Sequence, residues 1–247
     1  MIVSSLDGAD RTVMISQTDH ARFAAEFLSL WRTDGLPRHP LRDELIFAAR
    51  EHDNGWAEID SAPMVDGNGN PYDFISMPTP VRQEIWNRGI RRHAESRPAA
   101  ALWITLHALH LHRGHGDDEE WRETLESWRR TEQQLRREVG LPDETVDDGY
   151  AFIELADTVS LAACARWSRA SRLRGMEIRP LAGDPSFHAQ IALDPFPLAG
   201  STVFEVAARS LDRQTFSGDT DLALALAGTR WTKVRIRITP GPGPGIR

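Results

Sequence analysis

The pattern of apolar positions predicts helices over the first two thirds of the chain. Phe23, Phe27 and Leu28 recur at helical spacing, and similar stripes follow in later segments. The predicted elements are a strand at 12–15 and helices at 18–33, 40–52, 80–95, 98–113, 118–139 and 143–172. Residues 56–80 are rich in Pro and Gly, which predicts an irregular segment, and their aromatic side chains favour an ordered loop.

The pattern changes after Gly175. Short apolar runs separated by Gly, Pro and Asp predict strands at 178–181, 187–193, 202–208, 222–226 and 232–238. We therefore expect a mainly α fold, in which a helical bundle of residues 1–174 is followed by a small antiparallel β region of residues 175–239. The Pro-Gly repeat that follows predicts a flexible tail over residues 240–247.

The composition excludes several kinds of partner. The 247 residues carry a formal net charge of -7, and this acidic balance argues against a nucleic-acid or anionic-membrane partner. No apolar run is long enough to cross a membrane, and the first residues lack the pattern of a secretory signal. We expect a cytoplasmic protein with a small-molecule substrate, and the sequence leaves a homo-oligomer open.

Cysteine and lysine are scarce, which limits the available chemistry. Cys164 is the only cysteine, so an intramolecular disulfide and a thiolate zinc site are both excluded. Lys233 is the only lysine, which leaves arginines, backbone N–H groups or a metal to bind any phosphate. Arg50, Arg91 and Arg92 are among the many candidate arginines.

Histidines and carboxylates lie on apolar faces of the predicted helices. His20 precedes Phe23 and Phe27 on one stripe, and Asp157 lies four residues before Leu161 on another. Taken alone, each has a plain alternative, because a buried histidine can be hydrogen-bonded in the core and a buried carboxylate can pair with an arginine. Taken together, they predict a metal site. The predicted ligands are His20, His52, Asp53, His107 and Asp157, with His110 as an additional candidate.

The ligand types narrow the choice of metal. Imidazole and carboxylate donors suit Fe, Mn, Zn, Co or Ni, as one or two ions. Such an ion lowers the pKa of a bound water towards neutrality and supplies hydroxide. His112 and His115, which lie near the end of the same helix as His107, are expected to be solvated.

The order of these residues resembles the HD-domain superfamily of metal-dependent phosphohydrolases, which share a His, a His-Asp pair and a final Asp. The motif His falls at His20, the pair at His52 and Asp53, and the closing Asp at Asp157. Members with two metals carry further histidines between the pair and the final Asp, and His107 lies in that interval. The resemblance implies an HD-like helical bundle, a divalent transition metal and a phosphorylated substrate.

Several sequence blocks resemble more closely a bacterial family of unknown function that also has a C-terminal β region. The blocks are Gln17-Thr18-Asp19-His20, His52-Asp53-Asn54-Gly55-Trp56 and Leu155-Ala156-Asp157-Thr158-Val159-Ser160-Leu161. Trp56 and Asp60 match positions of that family and are additional site candidates. This resemblance implies a metal but supplies no reaction.

Three functions remain open from the sequence. The first is a metal-dependent phosphohydrolase for a small phosphate ester or nucleotide, with Asp53 as the catalytic residue that bridges metals or orients the water. The second is a di-iron oxygenase, which some HD-fold relatives are and which needs six protein ligands. The third is a non-catalytic binding module that presents the segment 56–80 or the β region to a partner.

Overall fold

The computed structural model describes residues 1–5, 12–33 and 35–241. Within these residues, the helices are α1 (Gln17–Ser29), α2 (Arg42–Glu51), α3 (Ala57–Ser61), α4 (Thr79–Ala94), α5 (Pro98–Leu111), α6 (Glu119–Val139), α7 (Asp143–Cys164) and α8 (Asp219–Ala227). The strands are β1 (Ile2–Ser5), β2 (Thr12–Ile15), β3 (Ser171–Leu173), β4 (Met176–Pro180), β5 (Ala189–Asp194), β6 (Thr202–Leu211) and β7 (Thr232–Pro240). Short 3-10 turns lie at Leu36–Arg38, Asn54–Trp56 and Arg113–His115.

The strands form one mixed sheet in the order β1-β2-β6-β7-β5-β4-β3. This sheet is a half-barrel, and about 51% of the described residues are helical. β5 and β7 pair in parallel, with Ile191 opposite Ile238, whereas the other neighbours pair antiparallel. The prediction of a mainly α protein, a helical bundle followed by a small antiparallel β region, was therefore wrong.

The N-terminal strands account for much of this difference. β2 pairs with β6, and Met14 lies opposite Arg209, so the sheet draws strands from both sides of residue 174. The apolar run at 12–15 correctly predicted a strand. Periodicity identifies a strand but not the distant strand with which it pairs, so the size of the sheet could not be predicted.

Residues 222–226 were predicted as a strand but belong to α8. The alternation of Leu and Ala imitates the two-residue period of a strand, although both residue types are strong helix formers. Leu222 and Leu226, four residues apart, are buried on one face, while Leu224 on the opposite face is 68% exposed. Asp219 and Asp221 in the first turn also favour the helix by complementing its dipole.

Two predicted element boundaries differ from those in the structure. α7 ends at Cys164 rather than near 172, because Arg166 adopts a left-handed backbone with φ of 52°, which a helix cannot continue. The predicted flexible tail of residues 240–247 lies mostly outside the described residues. Pro240 still belongs to β7, and the Gly241 N–H donates to the Leu193 carbonyl at 2.7 Å.

Helices α1 and α7 pack on the sheet and also carry site residues. Phe23 and Phe27 of α1 contact the ring of Phe204 in β6, with ring centroids 4.9 and 6.4 Å apart. α1 also packs against α2, and α5 packs against both α2 and α7. This packing brings α1, α2, α5 and α7 around one point. Among the described residues, no helix is both long and apolar enough to cross a membrane.

Candidate metal centre

The predicted ligands come from different elements that meet in the core. His20 lies in the first turns of α1, Asp157 in the middle of α7 and His107 near the end of α5. His52 caps α2, and Asp53 follows with non-helical torsions of φ -107° and ψ 20°. Adjacent residues of a continuous helix point in different directions, so this break allows both side chains to face the same point.

The turn after α2 is held firmly against α4. The Asn54 side-chain amide donates to the Glu51 carbonyl at 2.7 Å and to the Gly89 carbonyl at 3.1 Å. Gly55 approaches α4 so closely that a Cβ atom at this position would lie 2.0 Å from the Ile85 carbonyl oxygen. These contacts fix the direction in which the His-Asp pair points.

Four side chains converge through their Nε2 and carboxylate oxygen atoms. His20 Nε2 lies 2.7 Å from Asp53 Oδ2 and 3.9 Å from Asp157 Oδ1. His52 Nε2 lies 3.4 Å from Asp53 Oδ2 and 3.3 Å from Asp157 Oδ1. Ligand atoms about 2.0–2.2 Å from a common metal ion can be no more than about 4.4 Å apart, so all four distances suit one ion.

The outer nitrogen of each of these histidines is already hydrogen-bonded. His52 Nδ1 donates to the Ala49 carbonyl at 2.7 Å. Ser160 Oγ donates its proton to the Asp157 carbonyl at 2.9 Å, so it accepts a hydrogen bond from His20 Nδ1, also at 2.9 Å. Both rings therefore turn Nε2 towards the carboxylates. Metal-binding histidines are commonly oriented in this way, by a hydrogen bond from the other ring nitrogen.

The two buried carboxylates of the cluster need positive charge close by. His52 Nε2 is buried without a hydrogen-bond partner in the described part of the chain. Burial lowers the pKa of His52, but Asp53 and Asp157 outweigh this effect and raise it well above the usual value. Burial raises the pKa of both carboxyl groups, yet the neighbouring histidines hold each below its usual range. Protons on the imidazoles or one divalent ion can supply this charge, and His20, His52 and Asp157 could hold a metal ion.

His107 stands beside the cluster. Its Nε2 lies 3.9 Å from Asp157 Oδ2, and its ring meets the ring of His52 edge-on with centroids 4.8 Å apart. Its Nδ1 lies 3.3 Å from the Tyr150 hydroxyl. Burial lowers the pKa of His107 to about 4, so the imidazole is neutral at pH 7 and can act as a ligand or a proton acceptor.

His110 and Asp60 make other contacts. His110 Nε2 lies 2.8 Å from Glu154 Oε1, and Glu154 also pairs with Arg174. Asp60 Oδ2 accepts from the Gln17 backbone N–H at 2.6 Å, and Oδ1 pairs with the Met1 amino group at 2.9 Å. Asp60 thereby anchors the start of α1, which carries His20.

Comparison with known families gives one match. A family model described as "Protein of unknown function (DUF3891)" matches residues 1–213. The chain belongs to this family. No curated protein and no solved structure matches it. The prediction that the chain belongs to a family of unknown function is confirmed, and membership of the HD-domain superfamily stays a prediction.

The DUF3891 chain has a cavity of about 200 Å³ that opens onto the cluster. Asp53, His107 and Asp157 line it on the side of the candidate metal centre. Its apolar lining residues are Trp56, Phe74, Ile75, Trp86, Leu111 and Leu161. Its other polar lining residues are Gln17, Arg82 and His112. Trp56, an additional site candidate from the sequence, is therefore a wall residue next to the His-Asp turn.

Sequence reasoning missed Arg82 and misjudged His112. The candidates Arg50, Arg91 and Arg92 pair with surface glutamates and do not line the cavity. Arg82 could have been found, because it lies one helical turn before Trp86 on the same face of α4. The prediction that His112 is solvated was wrong, since tryptophans of α4 and α6 enclose its ring and leave it 5% exposed.

Proposed function

We propose that this protein is a metal-dependent hydrolase of small phosphate esters. The observation that carries the proposal is the buried Nε2 atom of His52, which makes no hydrogen bond of good geometry and faces Asp53 and Asp157 beside His20 at a cavity. A buried polar atom without a partner is costly, and a metal ion would satisfy it. The order of these residues, which resembles that of the HD-domain phosphohydrolases, supports phosphate ester hydrolysis.

His20, His52, Asp53 and Asp157 would hold the ion. When bound, the ion would supply hydroxide from water at neutral pH and attract a phosphate oxygen. Asp53 lines the cavity, and its very low pKa keeps it ionised at neutral pH. Its carboxylate can accept a hydrogen bond and so orient the attacking water. Neutral His107, on the same cavity, is placed to accept a proton.

The cavity size favours a small ester over a nucleotide. At about 200 Å³ it is smaller than the roughly 300–1,000 Å³ of typical small-molecule sites. The number of metal ligands argues against the alternative function, a di-iron oxygenase. In the described residues, His20, His52 and Asp157 could hold a metal ion, and Asp53 and His107 lie beside them, whereas that alternative needs six ligands. These two observations support the hydrolase of a small substrate.

The direct test is turnover of small phosphomonoesters, beginning with p-nitrophenyl phosphate, by protein loaded separately with Mn, Co, Zn, Ni or Fe. We expect Asp53→Asn to lower kcat/KM by about 100-fold or more. The matched control is Asp43→Asn, since the Asp43 side chain on α2 is 98% exposed. Hydrolysis that survives in Asp53→Asn, or metal-loaded protein that cleaves none of the esters, would contradict the proposal.

A further inference from the structure

Three residues that line the cavity each have a buried polar atom without a partner. These atoms are Arg82 Nε, Trp56 Nε1 and Gln17 Oε1, for which the described residues offer no hydrogen bond. Trp56 is 2% exposed and Gln17 is 3% exposed, so bulk water does not satisfy them. Nearly all buried polar groups in folded proteins are hydrogen-bonded, and a polar ligand in the cavity is one way to satisfy these three atoms.

Two of the three groups are donors, and one carries a charge. The Arg82 guanidinium rests over the ring of Trp121, 5.3 Å from its centroid, and its Nη2 lies 3.4 Å from Thr79 Oγ1. No ion pair joins it to a carboxylate among residues 1–5, 12–33 and 35–241. Most other arginines of the helices are paired, for example Arg91 with Glu84 and Arg136 with Glu132. Arg82 is thus a half-buried cation with no carboxylate paired to it in this region.

The charges around the cavity indicate an anion as the counter-ion of Arg82. Asp53 and Asp157, the acidic residues of the lining, both face the histidines of the candidate metal centre. A divalent ion there would balance their two charges. The cavity lining would then carry one net positive charge, that of Arg82, which an anionic group of a ligand can neutralise.

The rest of the lining is apolar and aromatic. Phe74, Trp86 and Leu161 contribute to the walls, and Ile75 at 70% exposure lies towards solvent. A cavity of about 200 Å³ corresponds to a sphere only about 7 Å across. A ligand that reaches Arg82 therefore also lies close to the metal centre, and its organic part must be small.

We propose that Arg82 and Trp56 bind the phosphoryl oxygens of the substrate, and that its organic part is a small apolar or aromatic group held by the cavity walls. The Arg82 guanidinium supplies charge and direction, and the Trp56 indole N–H supplies a second donor. This assignment rests on the proposed phosphate ester hydrolase. It adds the residues that recognise the ester and the chemical class of its organic group.

The test is equilibrium binding of phenylphosphonate, whose P–C bond resists hydrolysis, to metal-loaded protein by titration calorimetry. We expect Arg82→Gln to weaken binding by about tenfold or more with unchanged metal content, because charge-assisted hydrogen bonds are lost. Trp56→Phe, which keeps an aromatic ring and removes the donor, should weaken it by about threefold. Inorganic phosphate should bind more weakly than phenylphosphonate because it does not use the apolar walls.

Arg91→Gln is the matched control, since Arg91 is 69% exposed and lies outside the cavity lining. Arg82→Lys keeps the charge, and we expect it to fall between Arg82→Gln and the unmodified protein. Equal affinity in Arg82→Gln and Arg91→Gln, or absence of phenylphosphonate binding, would overturn the assignment. The assay needs no turnover, so its outcome is distinguishable from that of the hydrolysis assay. Arg82-dependent binding without hydrolysis supports Arg82 as the anion-binding residue and contradicts the proposed hydrolase. Hydrolysis with Arg82-independent binding overturns the assignment alone.

Discussion

Acid should destabilise this protein through His112, the buried imidazole on the cavity wall. Burial and the nearby positive charge of Arg82 together lower the pKa of His112 to about 4, although its hydrogen bond to the Ala108 carbonyl raises the pKa. Between pH 6.5 and pH 4, His112 is therefore protonated in the unfolded chain but neutral in the folded chain. Stability falls as the pH falls through this window.

The size of the effect follows from the two pKa values. With about 6.5 in the unfolded chain and about 4 in the folded chain, His112 removes about 2 kcal/mol of stability between pH 7 and pH 5. The assay is urea unfolding at both pH values, followed by tryptophan fluorescence in the presence of a chelator. His112→Gln should reduce the pH-dependent loss by this amount.

His115→Gln is the matched control, since it removes the neighbouring imidazole that stacks on Trp121 and leaves His112 in place. It should retain the part of the pH dependence that His112 causes. If unmodified protein and His112→Gln lose equal stability between pH 7 and pH 5, the buried neutral state of His112 is refuted.

Two further changes test how the metal centre is held. Gly55→Ala should destabilise the protein by about 1–3 kcal/mol and weaken metal binding, because its Cβ would overlap the Ile85 backbone. Gly114→Ala is the control: a Cβ at position 114 meets open space, so this variant should show neither effect. Thermal unfolding and chelator competition measure the two effects, and equal behaviour of both variants would count against the fixed turn. Ser160→Ala removes the acceptor of His20 Nδ1 and should lower metal affinity by about 10–100-fold; unchanged affinity in the same competition assay would show that this hydrogen bond does not orient the ligand.

Periodicity identified most of the helices because their apolar stripes are long and regular. The same stripes revealed His20 and Asp157, since a polar residue on an apolar face needs a partner or a ligand. His52 and Asp53 were noticed as an adjacent pair, and the structure explains how one break after α2 turns both inward. Local pattern was sufficient for these features because each depends on neighbours within one or two helical turns.

The features that could not be predicted depend on distant parts of the chain. The pairing of β2 with β6 joins opposite ends of the sequence, and nothing in either strand specifies the other. His112 is buried because α6 brings Trp121 and Trp128 over it, which the spacing within α5 cannot show. The prediction of a strand at 222–226 failed for another reason. The alternation of Leu and Ala fits both the period of a strand and that of a helix, and only tertiary packing distinguishes the two.

Metal content tests the central claim most directly. The protein should be purified without a histidine tag, equilibrated with one of the five metals, passed through a desalting column and measured by elemental analysis. We predict about one or more tightly bound ions per chain, loss of that metal in His52→Gln, and retention in His188→Gln, whose imidazole lies against the Cys164 carbonyl away from the cluster. Unmodified protein that retains no metal, or His52→Gln that retains as much as His188→Gln, would contradict the account.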